Sequence, residues 1–411
     1  MKLIVTMDWV GCSGRVGELE IFNNRGTETY QFTYTQEWVK KGFQIDPALA
    51  LLAEFPQHSQ TLPGVFQDIC PDRWGRLVQK RAKPGHFSDA DLMLGVSDFM
   101  RMGALRLSEA NRPEVFLANN TQVPKLVHLR ELAEASRRLE QGLETETDLT
   151  QLLEAGSSLG GAHPKAVVQD GHTLYLAKFQ SHLDTERVCA WEATMLDLAQ
   201  KAGIATPKHR LLNPKHSRPI LLLERFDRSV SGRIPFASAM TLSGRQDRDD
   251  ASYAELASVV SSLSAQAKLD SFDLWRRMTF NAMAGNTDDH LRNHAFLRTP
   301  SGWRLAPAYD LNPNAEPLER RSHALAFLPG EHQPSLKLCL DMADFFNLDK
   351  RQVQQGLASL AAALTQWRSL AKNNGLMDNE LKRYAEAFEH EDMHQLLAST
   401  QSNIKNPLHK L

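Results

Sequence analysis

The stretch GNTDDHLRNHAFL, residues 285–297, concentrates polar side chains immediately after a predicted helix. Two aspartates, two asparagines and two histidines lie within the ten residues 285–294, and an apolar, strand-like run follows them. The preceding helix is predicted to begin at Asp270 as its N-cap and to end at Gly285. After the stretch, HAFLR and WRLAPAYD predict a hairpin that ends at Asp310. A polar surface loop and an active site are both compatible with this composition.

The spacing of the acidic and amide residues favours phosphoryl transfer. Asp288 lies five residues before Asn293, and Asp310 lies seventeen residues after Asn293. Phosphoryl transfer needs a carboxylate that orients the attacking hydroxyl, and an amide oxygen with a second carboxylate to hold Mg²⁺ on the phosphates. The catalytic loop of protein kinases has the same Asp-to-Asn offset, followed by a hairpin and a metal-binding Asp.

A zinc site is an alternative interpretation of the same stretch. His290 and His294 have the i, i+4 spacing of a zinc-binding helix, and Asp289 is nearby. A metalloprotease helix, however, needs a Glu directly after its first His, and Leu291 stands there. The stretch also follows a helix terminator, so the histidines need not share a helical face. A polar loop whose side chains satisfy turn carbonyls is the structural alternative.

Composition indicates a globular protein with room for two or three domains in 411 residues. A net charge of −2 disfavours nucleic-acid binding through the overall field. The N-terminal segment is too short and polar for a signal peptide, and no apolar run is long enough for a membrane span. The widely spaced cysteines indicate reduced thiols, so we expect a soluble cytoplasmic protein. These cysteines are Cys12, Cys70, Cys189 and Cys339.

Strand signals dominate the start of the chain and helix signals its end. Residues 2–34 predict three strands with a turn at 23–26, and residues 47–55 and 64–82 are helical in pattern. The middle of the chain predicts helices at 128–142 and 186–204 and a hairpin at Asp170-Gly171. Ser252 with Glu255 forms a capping box, and residues 351–371 predict one long helix. This order indicates an α+β protein with a β-rich N-terminal domain and a largely α-helical C-terminal lobe.

Candidate nucleotide-binding residues precede the catalytic stretch. The Ser/Gly-rich segment GSSLGGAHPKAVV, residues 156–168, allows backbone N–H groups to approach phosphates. Lys178 follows on a predicted strand as a candidate phosphate ligand, with Glu192 as its hypothetical partner on the next helix. LLLERFDR, residues 221–228, is a strand that could offer backbone groups to an adenine. Each also has a structural alternative: a Gly-rich turn, an edge-strand lysine, a surface glutamate and a core strand. Their linear order is that of a bilobal kinase-like fold.

These segments resemble the signature segments of HipA-family serine/threonine kinases, the toxins of bacterial toxin–antitoxin pairs. The resemblance rests on SSLGGAHPKAVV, LLLERFDR, LWRRMTFNAMAGNTDDHLRNHAFL and WRLAPAYDLNP, and GVFQDICPDRWGRLVQKR is similar to that family's first domain. It implies an N-terminal HipA-like domain over residues 1–125, a nucleotide-binding portion over 126–235 and a helical catalytic lobe over 236–411.

The resemblance also implies residue roles, with ATP and Mg²⁺ as cofactors. Asp288 would be the catalytic base, His290 would lie near the transferred phosphoryl group, and Asn293 and Asp310 would bind Mg²⁺. Autophosphorylation would fall on Ser158, with Ser157 as second choice, and would block ATP binding because the new charge repels the phosphates. The nucleotide-binding set comprises Ser157, Ser158, Gly160, Gly161, Ala162, His163, Lys165, Lys178, Glu224 and Phe226.

The resemblance further implies partners. The substrate would be a cytoplasmic protein, an aminoacyl-tRNA synthetase in the best-understood members, and a helix-turn-helix antitoxin would bind the toxin. DNA would be reached through that antitoxin. The basic residues 73–86 could touch DNA in a larger complex, but such a segment is more often a solvated helix face. Two other functional classes remain open: a small-molecule phosphotransferase on the same fold, and a non-catalytic binding module.

Overall fold

The computed structural model describes residues 1–83, 85–118, 123–156, 161, 163–213, 215–216, 218–247 and 249–405, with side chains as far as residue 400. The described chain forms two compact units. The first unit consists of Met1–Leu183, Leu222–Asp247 and Phe296–Ser301, and the second of Asp184–Leu221, Arg248–Ala295 and the chain from Gly302 onward. Within the described ranges, no helix has both the length and the apolar composition needed to cross a lipid bilayer.

An antiparallel six-stranded sheet opens the first unit. Its strands are β1 (Lys2–Met7), β2 (Gly14–Asn24), β3 (Thr27–Tyr34), β4 (Gln57–Ser59), β5 (Leu105–Glu109) and β6 (Arg112–Phe116), in the order β4-β3-β2-β1-β5-β6. Alternation in β3 places the rings of Tyr30, Phe32 and Tyr34 in the core. The predicted turn joins β2 and β3, where Asn23 Oδ1 accepts a 3.1 Å hydrogen bond from the Gly26 N–H. The prediction of three N-terminal strands is therefore confirmed.

The helical pattern at residues 47–55 is a wrong prediction, because this segment contains no helix. The Glu54 N–H donates to Tyr34 O at 3.0 Å, so the chain runs beside β3 instead. Asp46 Oδ1 accepts from the Ala48 N–H at 2.8 Å and holds a turn at the start of the segment. The short helices of this region are α1 (Gln36–Lys41), α2 (Gly64–Gln67), α3 (Arg73–Ala82) and α4 (Asp89–Leu94).

The middle of the chain contains the predicted hairpin, but its two-residue loop lies one residue later than predicted. Asp170 pairs with Thr173, so Gly171 and His172 form the loop, with Gly171 at φ +60°. The elements of this region are α5 (Leu129–Gln141), α6 (Glu146–Glu154), β7 (Lys165–Asp170), β8 (Thr173–Phe179), α7 (Val188–Lys201), β9 (His209–Leu212), β10 (Ile220–Glu224), β11 (Arg228–Ser229), β12 (Gly232–Arg233), β13 (Phe236–Ser238) and α8 (Ala239–Leu242). In the first unit, β8 lies between β7 and β10.

Helices dominate the rest of the chain. They are α9 (Tyr253–Leu263), α10 (Ala267–Ala284), α11 (Leu336–Asp341), α12 (Lys350–Leu364), α13 (Trp367–Asn373), α14 (Asp378–Arg383), α15 (Ala385–Phe388) and α16 (Glu391–Lys405), with strands β14 (Ala295–Thr299) and β15 (Gly302–Leu305) between α10 and α11. Helix α10 packs against α9, α11 and α12, and its Trp275 and Phe280 are fully buried. The expected α+β architecture, β-rich at the start and helical at the end, is confirmed.

Two helix boundaries differ from prediction. Asp270 is not the N-cap of α10, which begins after Gln266; its buried carboxylate accepts hydrogen bonds from Arg304 and Ser264 instead. The predicted helix at 351–371 is interrupted between α12 and α13. The capping box of Ser252 and Glu255 is present as predicted.

Gly285, which ends α10, is expected to be costly to replace with alanine. Its φ is +68°, and a Cβ there would lie 3.2 Å from Asn314 O and 3.3 Å from Arg321 Cζ. Gly330 has a similar φ of +78° with open space around it, so Gly330→Ala is the matched control. We expect about 1 kcal/mol of lost unfolding free energy for Gly330→Ala and about 2–4 kcal/mol for Gly285→Ala. Equal losses in urea unfolding would contradict the crowding at Gly285.

Candidate active site

Helix α10 ends where the predicted catalytic stretch begins, and its last turn holds the start of that stretch in place. Gly285 adopts the left-handed conformation, and the Asn286 N–H donates to Asn281 O at 2.9 Å. The chain then runs without regular structure to a single 3₁₀ turn, Leu291–Asn293. The prediction of a turn at the helix end is confirmed.

The Asp288 side chain faces solvent and that of His290 is half-buried, whereas the amide of Asn293 is held by a backbone oxygen. The side chains of Asp288 and His290 are 77% and 44% exposed, and His290 Nε2 lies 3.8 Å from Asp288 Oδ1. Asn293 is buried, and its Nδ2 donates to Asp288 O at 2.7 Å. Since a carbonyl oxygen only accepts, this bond fixes the orientation of the Asn293 amide and directs its Oδ1 away from the bond.

Hydrogen bonds place the segment that carries Asp310 beside the same stretch. The Tyr309 hydroxyl donates to Arg292 O at 2.6 Å, and the Asn312 N–H donates to Asn286 Oδ1 at 3.3 Å. Asp310 lies between these two contacts, with a φ of +56°. A non-glycine residue in this conformation stores backbone strain, which is frequent at functional sites. Hydrogen bonds thus place the backbone that carries Asp310 beside the backbone that carries Asp288 and Asn293.

The oxygen donors of Asn293 and Asp310 fit Mg²⁺ better than Zn²⁺. Asn293 Oδ1 and the Asp310 carboxylate are hard oxygen ligands of the type that Mg²⁺ prefers. In the part of the chain that the structure describes, no three His, Cys, Asp or Glu side chains are grouped to hold a metal ion. His294 is buried with its ring edge-on against Tyr253, whereas the His290 side chain is 44% exposed, so the two rings lie in different environments. The zinc interpretation of His290 and His294 is therefore not supported.

Asp289 is a site residue whose role the sequence did not reveal. Although it adjoins the exposed Asp288, it is only 1% exposed. Its Oδ2 accepts a hydrogen bond from the Tyr253 hydroxyl at 2.7 Å and lies 2.8 Å from His323 Nδ1, which donates because carboxylate oxygens accept. The Leu325 N–H donates to Oδ1 at 3.3 Å. The adjacent Asp288 and Asp289 were the available signal in the sequence, but nothing in it indicates which of the two is buried.

Part of the Ser/Gly-rich segment lies in the first unit. Ser157, Ser158, Gly160 and Ala162 fall outside the described residues; Gly161 has a φ of +106° and His163 is half-buried.

Lys165 is joined to the start of α3 by a buried ion pair. Its Nζ lies 2.7 Å from Asp72 Oδ2, and the two side chains are 3% and 5% exposed. Asp72 Oδ1 also caps α3 by accepting from the Gly75 N–H, and Trp74 Nε1 donates to Lys165 O at 3.0 Å. The Cα of Lys165 faces that of Lys178, which is also buried. Nucleotide binding by these two lysines stays a prediction.

From the last residue of β10 onward, alternate side chains differ in burial. Glu224 and Phe226 are half-buried, whereas Arg225 and Asp227 are buried. Arg225 makes two hydrogen bonds to the Asp227 carboxylate, at 2.9 and 2.7 Å, and donates to Met100 O at 2.7 Å. Arg225 and Asp227 therefore anchor this segment. Nucleotide contact by Glu224 and Phe226 stays a prediction.

Comparison with solved structures identifies the fold of this molecule. Its fold matches that of Shewanella oneidensis MR-1 HipA, seen in a complex of that toxin–antitoxin system with HipB and its operator DNA. The TM-score is 0.67 at 17% identity, over 98% of this chain and 97% of that one, which shows a shared fold. The Helicobacter pylori proinflammatory kinase CtkA is 15% identical over 61% of this chain and 94% of that one, with a TM-score of 0.46, too low to support an argument.

Two family models identify the family of the chain. The model of the HipA-like C-terminal domain matches residues 157–372, and that of the HipA N-terminal domain matches residues 10–108. The chain belongs to the HipA family. A search of curated proteins gave no match to it.

Proposed function

We propose that the chain is an ATP-dependent serine/threonine protein kinase that acts as the toxin of a toxin–antitoxin pair. One observation supports the proposal: hydrogen bonds at the end of α10 hold the segment of Asp310 beside the stretch that carries an exposed Asp288 and an oriented Asn293 amide. This is the set of groups that phosphoryl transfer requires.

Each group then has a definite task. Asp288 accepts the proton of the attacking hydroxyl and orients its oxygen, which suits a carboxylate that is exposed to an incoming substrate. Asn293 Oδ1 and the Asp310 carboxylate would hold Mg²⁺, which neutralises the phosphate oxygens when bound. His290, close to the Asp288 carboxylate, would donate toward the transferred phosphoryl group.

Nucleotide binding is assigned to residues of the first unit. Lys178, held on β8, would contact the phosphates of ATP, and the backbone at Glu224 and Phe226 would contact the adenine. Gly161 supports a role for its segment, because a φ of +106° is a conformation that residues with side chains avoid. Ser157, Ser158, Gly160, Ala162, His163 and Lys165 complete the proposed nucleotide loop.

Autophosphorylation of the proposed nucleotide loop is the experimental test of serine kinase activity. The purified chain is incubated with Mg²⁺ and ATP and then mapped by peptide mass spectrometry, beside Ser158→Ala and Ser157→Ala. We expect phosphate on Ser158 in the wild type, with its loss in Ser158→Ala and its retention in Ser157→Ala. Phosphate on neither serine, together with transfer to a small-molecule acceptor, would replace the protein-kinase proposal with a phosphotransferase.

The proposed partners follow from the family and its solved structure. HipB and operator DNA accompany the Shewanella HipA toxin, so we infer a helix-turn-helix antitoxin for this chain, with DNA bound through that antitoxin. The substrate would be a cytoplasmic protein, with an aminoacyl-tRNA synthetase as the first to assay. The intact Asp288, Asn293 and Asp310 favour catalysis over a binding-only role.

A further inference from the structure

A continuous set of hydrogen bonds begins at Asp289 and ends in the segment that carries Asp310. The Tyr253 hydroxyl, which donates to Asp289, accepts from Asn281 Nδ2 at 3.0 Å. Asn281 Oδ1 accepts from Asn286 Nδ2 at 3.1 Å, and Asn286 Oδ1 accepts from the Asn312 N–H. We call this set the Asp289 network; it comprises Asp289, His323, Tyr253, Asn281 and Asn286.

The network is buried and tightly packed. Asp289, His323, Tyr253, Asn281 and Asn286 are each at most 2% exposed. The space beside Asn281, Asn286 and Asp289 is only about 10 Å³. Burial and the neighbouring Asp289 raise the pKa of Tyr253 well above its ordinary value, so its hydroxyl remains a donor. Each member hydrogen-bonds to another member, although the buried His323 Nε2 has no hydrogen-bond partner among the described residues. Buried hydrogen-bonded networks rigidify the surrounding structure.

The network contacts both segments that carry the proposed catalytic residues. Asp289 is bonded next to Asp288 along the chain, so fixing its carboxylate fixes the backbone on which Asp288 is carried. Asn286, at the other end of the network, holds Asn312, two residues after Asp310. Because the network is anchored on helices α9 and α10, neither segment can shift without breaking a hydrogen bond of the network.

We propose that Asp289 is a positioning residue, which fixes Asp288 relative to Asp310 through the Asp289 network. This inference rests on the proposed function, because it assigns to Asp288 and Asp310 their roles in phosphoryl transfer. A misplacement of about 1 Å in such groups can cost about 100-fold in rate. Positioning of this kind affects the chemical step more than nucleotide affinity.

The experiment compares Asp289→Asn with a matched buried carboxylate. Asn has the same shape, but its Nδ2 cannot accept a hydrogen bond, so Tyr253, His323 and the Leu325 N–H cannot all be satisfied. The control is Asp270→Asn: Asp270 is 3% exposed and accepts hydrogen bonds from Arg304, Ser264 and the Leu305 N–H. It lies fifteen residues before Gly285 on α10, roughly 22 Å away along the helix axis.

Two kinds of measurement are made on the full-length chain. One reports on the positions of the two segments and the other on phosphate transfer. Amide hydrogen exchange of residues 286–294 and 309–314 reports on the two segments without any need for activity. The single-turnover rate of γ-phosphate transfer and the Kd of Mg-ATP report on catalysis. For Asp289→Asn we expect faster exchange in both segments, a rate about 100-fold lower and a Kd within about threefold. For Asp270→Asn we expect unchanged exchange there and an unchanged rate.

Other outcomes decide against the inference or against the function. Unchanged exchange in both segments, or faster exchange with a wild-type rate, would overturn the role of Asp289. Tyr253→Phe tests whether Asp289 acts through the Asp289 network. The double variant should lose less rate than the sum of the two single variants in free-energy terms, and full additivity would contradict a shared network. If the wild-type chain transfers no phosphate, the proposed function fails, and hydrogen exchange alone still decides whether Asp289 holds the two segments.

Discussion

Asp288→Asn is expected to lower the rate of phosphate transfer by about a thousandfold, equivalent to about 4 kcal/mol of transition-state stabilisation. The amide has the shape of the carboxylate but cannot take the proton of the attacking hydroxyl. Because the Asp288 side chain is 77% exposed and its hold on Asn293 is through its backbone oxygen, the fold should be unaffected. The measurement is the initial rate at saturating Mg-ATP, together with the thermal midpoint.

The Asp288 prediction concerns the rate of phosphate transfer and not the affinity for nucleotide. The Kd of Mg-ATP should stay within about threefold of wild type, since the lost interaction belongs to the transition state. Asp344→Asn in the 3₁₀ segment Met342–Phe346 is a control outside the proposed site and should leave the rate unchanged. A variant with the wild-type rate would remove Asp288 from the mechanism.

Asp310→Asn is expected to weaken Mg²⁺-dependent nucleotide binding by tenfold or more, about 1.4 kcal/mol. The loss falls on binding because a neutral amide oxygen attracts the cation less than a carboxylate does. Asn is the suitable replacement because it tolerates the left-handed φ of +56° that position 310 adopts. Nucleotide affinity is measured by titration with and without Mg²⁺.

The Mg²⁺ dependence provides the internal control for Asp310. In the presence of EDTA, wild type and Asp310→Asn should bind the nucleotide equally, since no cation is then present to distinguish them. Equal affinities in the presence of Mg²⁺ as well would show that Asp310 is not a ligand. A loss of affinity that persists in EDTA would point instead to a general disturbance of the segment.

Signals that act over a few residues could be predicted from the sequence. The left-handed Gly285 after α10 and the capping box of Ser252 and Glu255 each satisfy backbone groups within one helical turn. The helix end fixes where the catalytic stretch begins. For this reason the turn that carries Asp288 was predicted correctly.

Contacts between distant parts of the chain could not be predicted in this way. Asp72 and Lys165 are 93 residues apart, and Asp289 and His323 are 34 apart, so no local spacing reports either pair. Asp270 shows the same limit: an Asp before an apolar run is typical of an N-cap, but its carboxylate is bound by Arg304. The buried Asp289 likewise has its partner far away in the sequence, because Tyr253, which donates to it, lies in α9.

The most direct test of the central claim is the intact mass of the purified full-length chain after incubation with Mg²⁺ and ATP, beside Asp288→Asn. We expect the wild type to gain covalent phosphate, and we expect neither Asp288→Asn nor wild type in EDTA to do so. Phosphate gained equally by wild type and Asp288→Asn would contradict the proposed catalytic role of the residue 285–297 stretch.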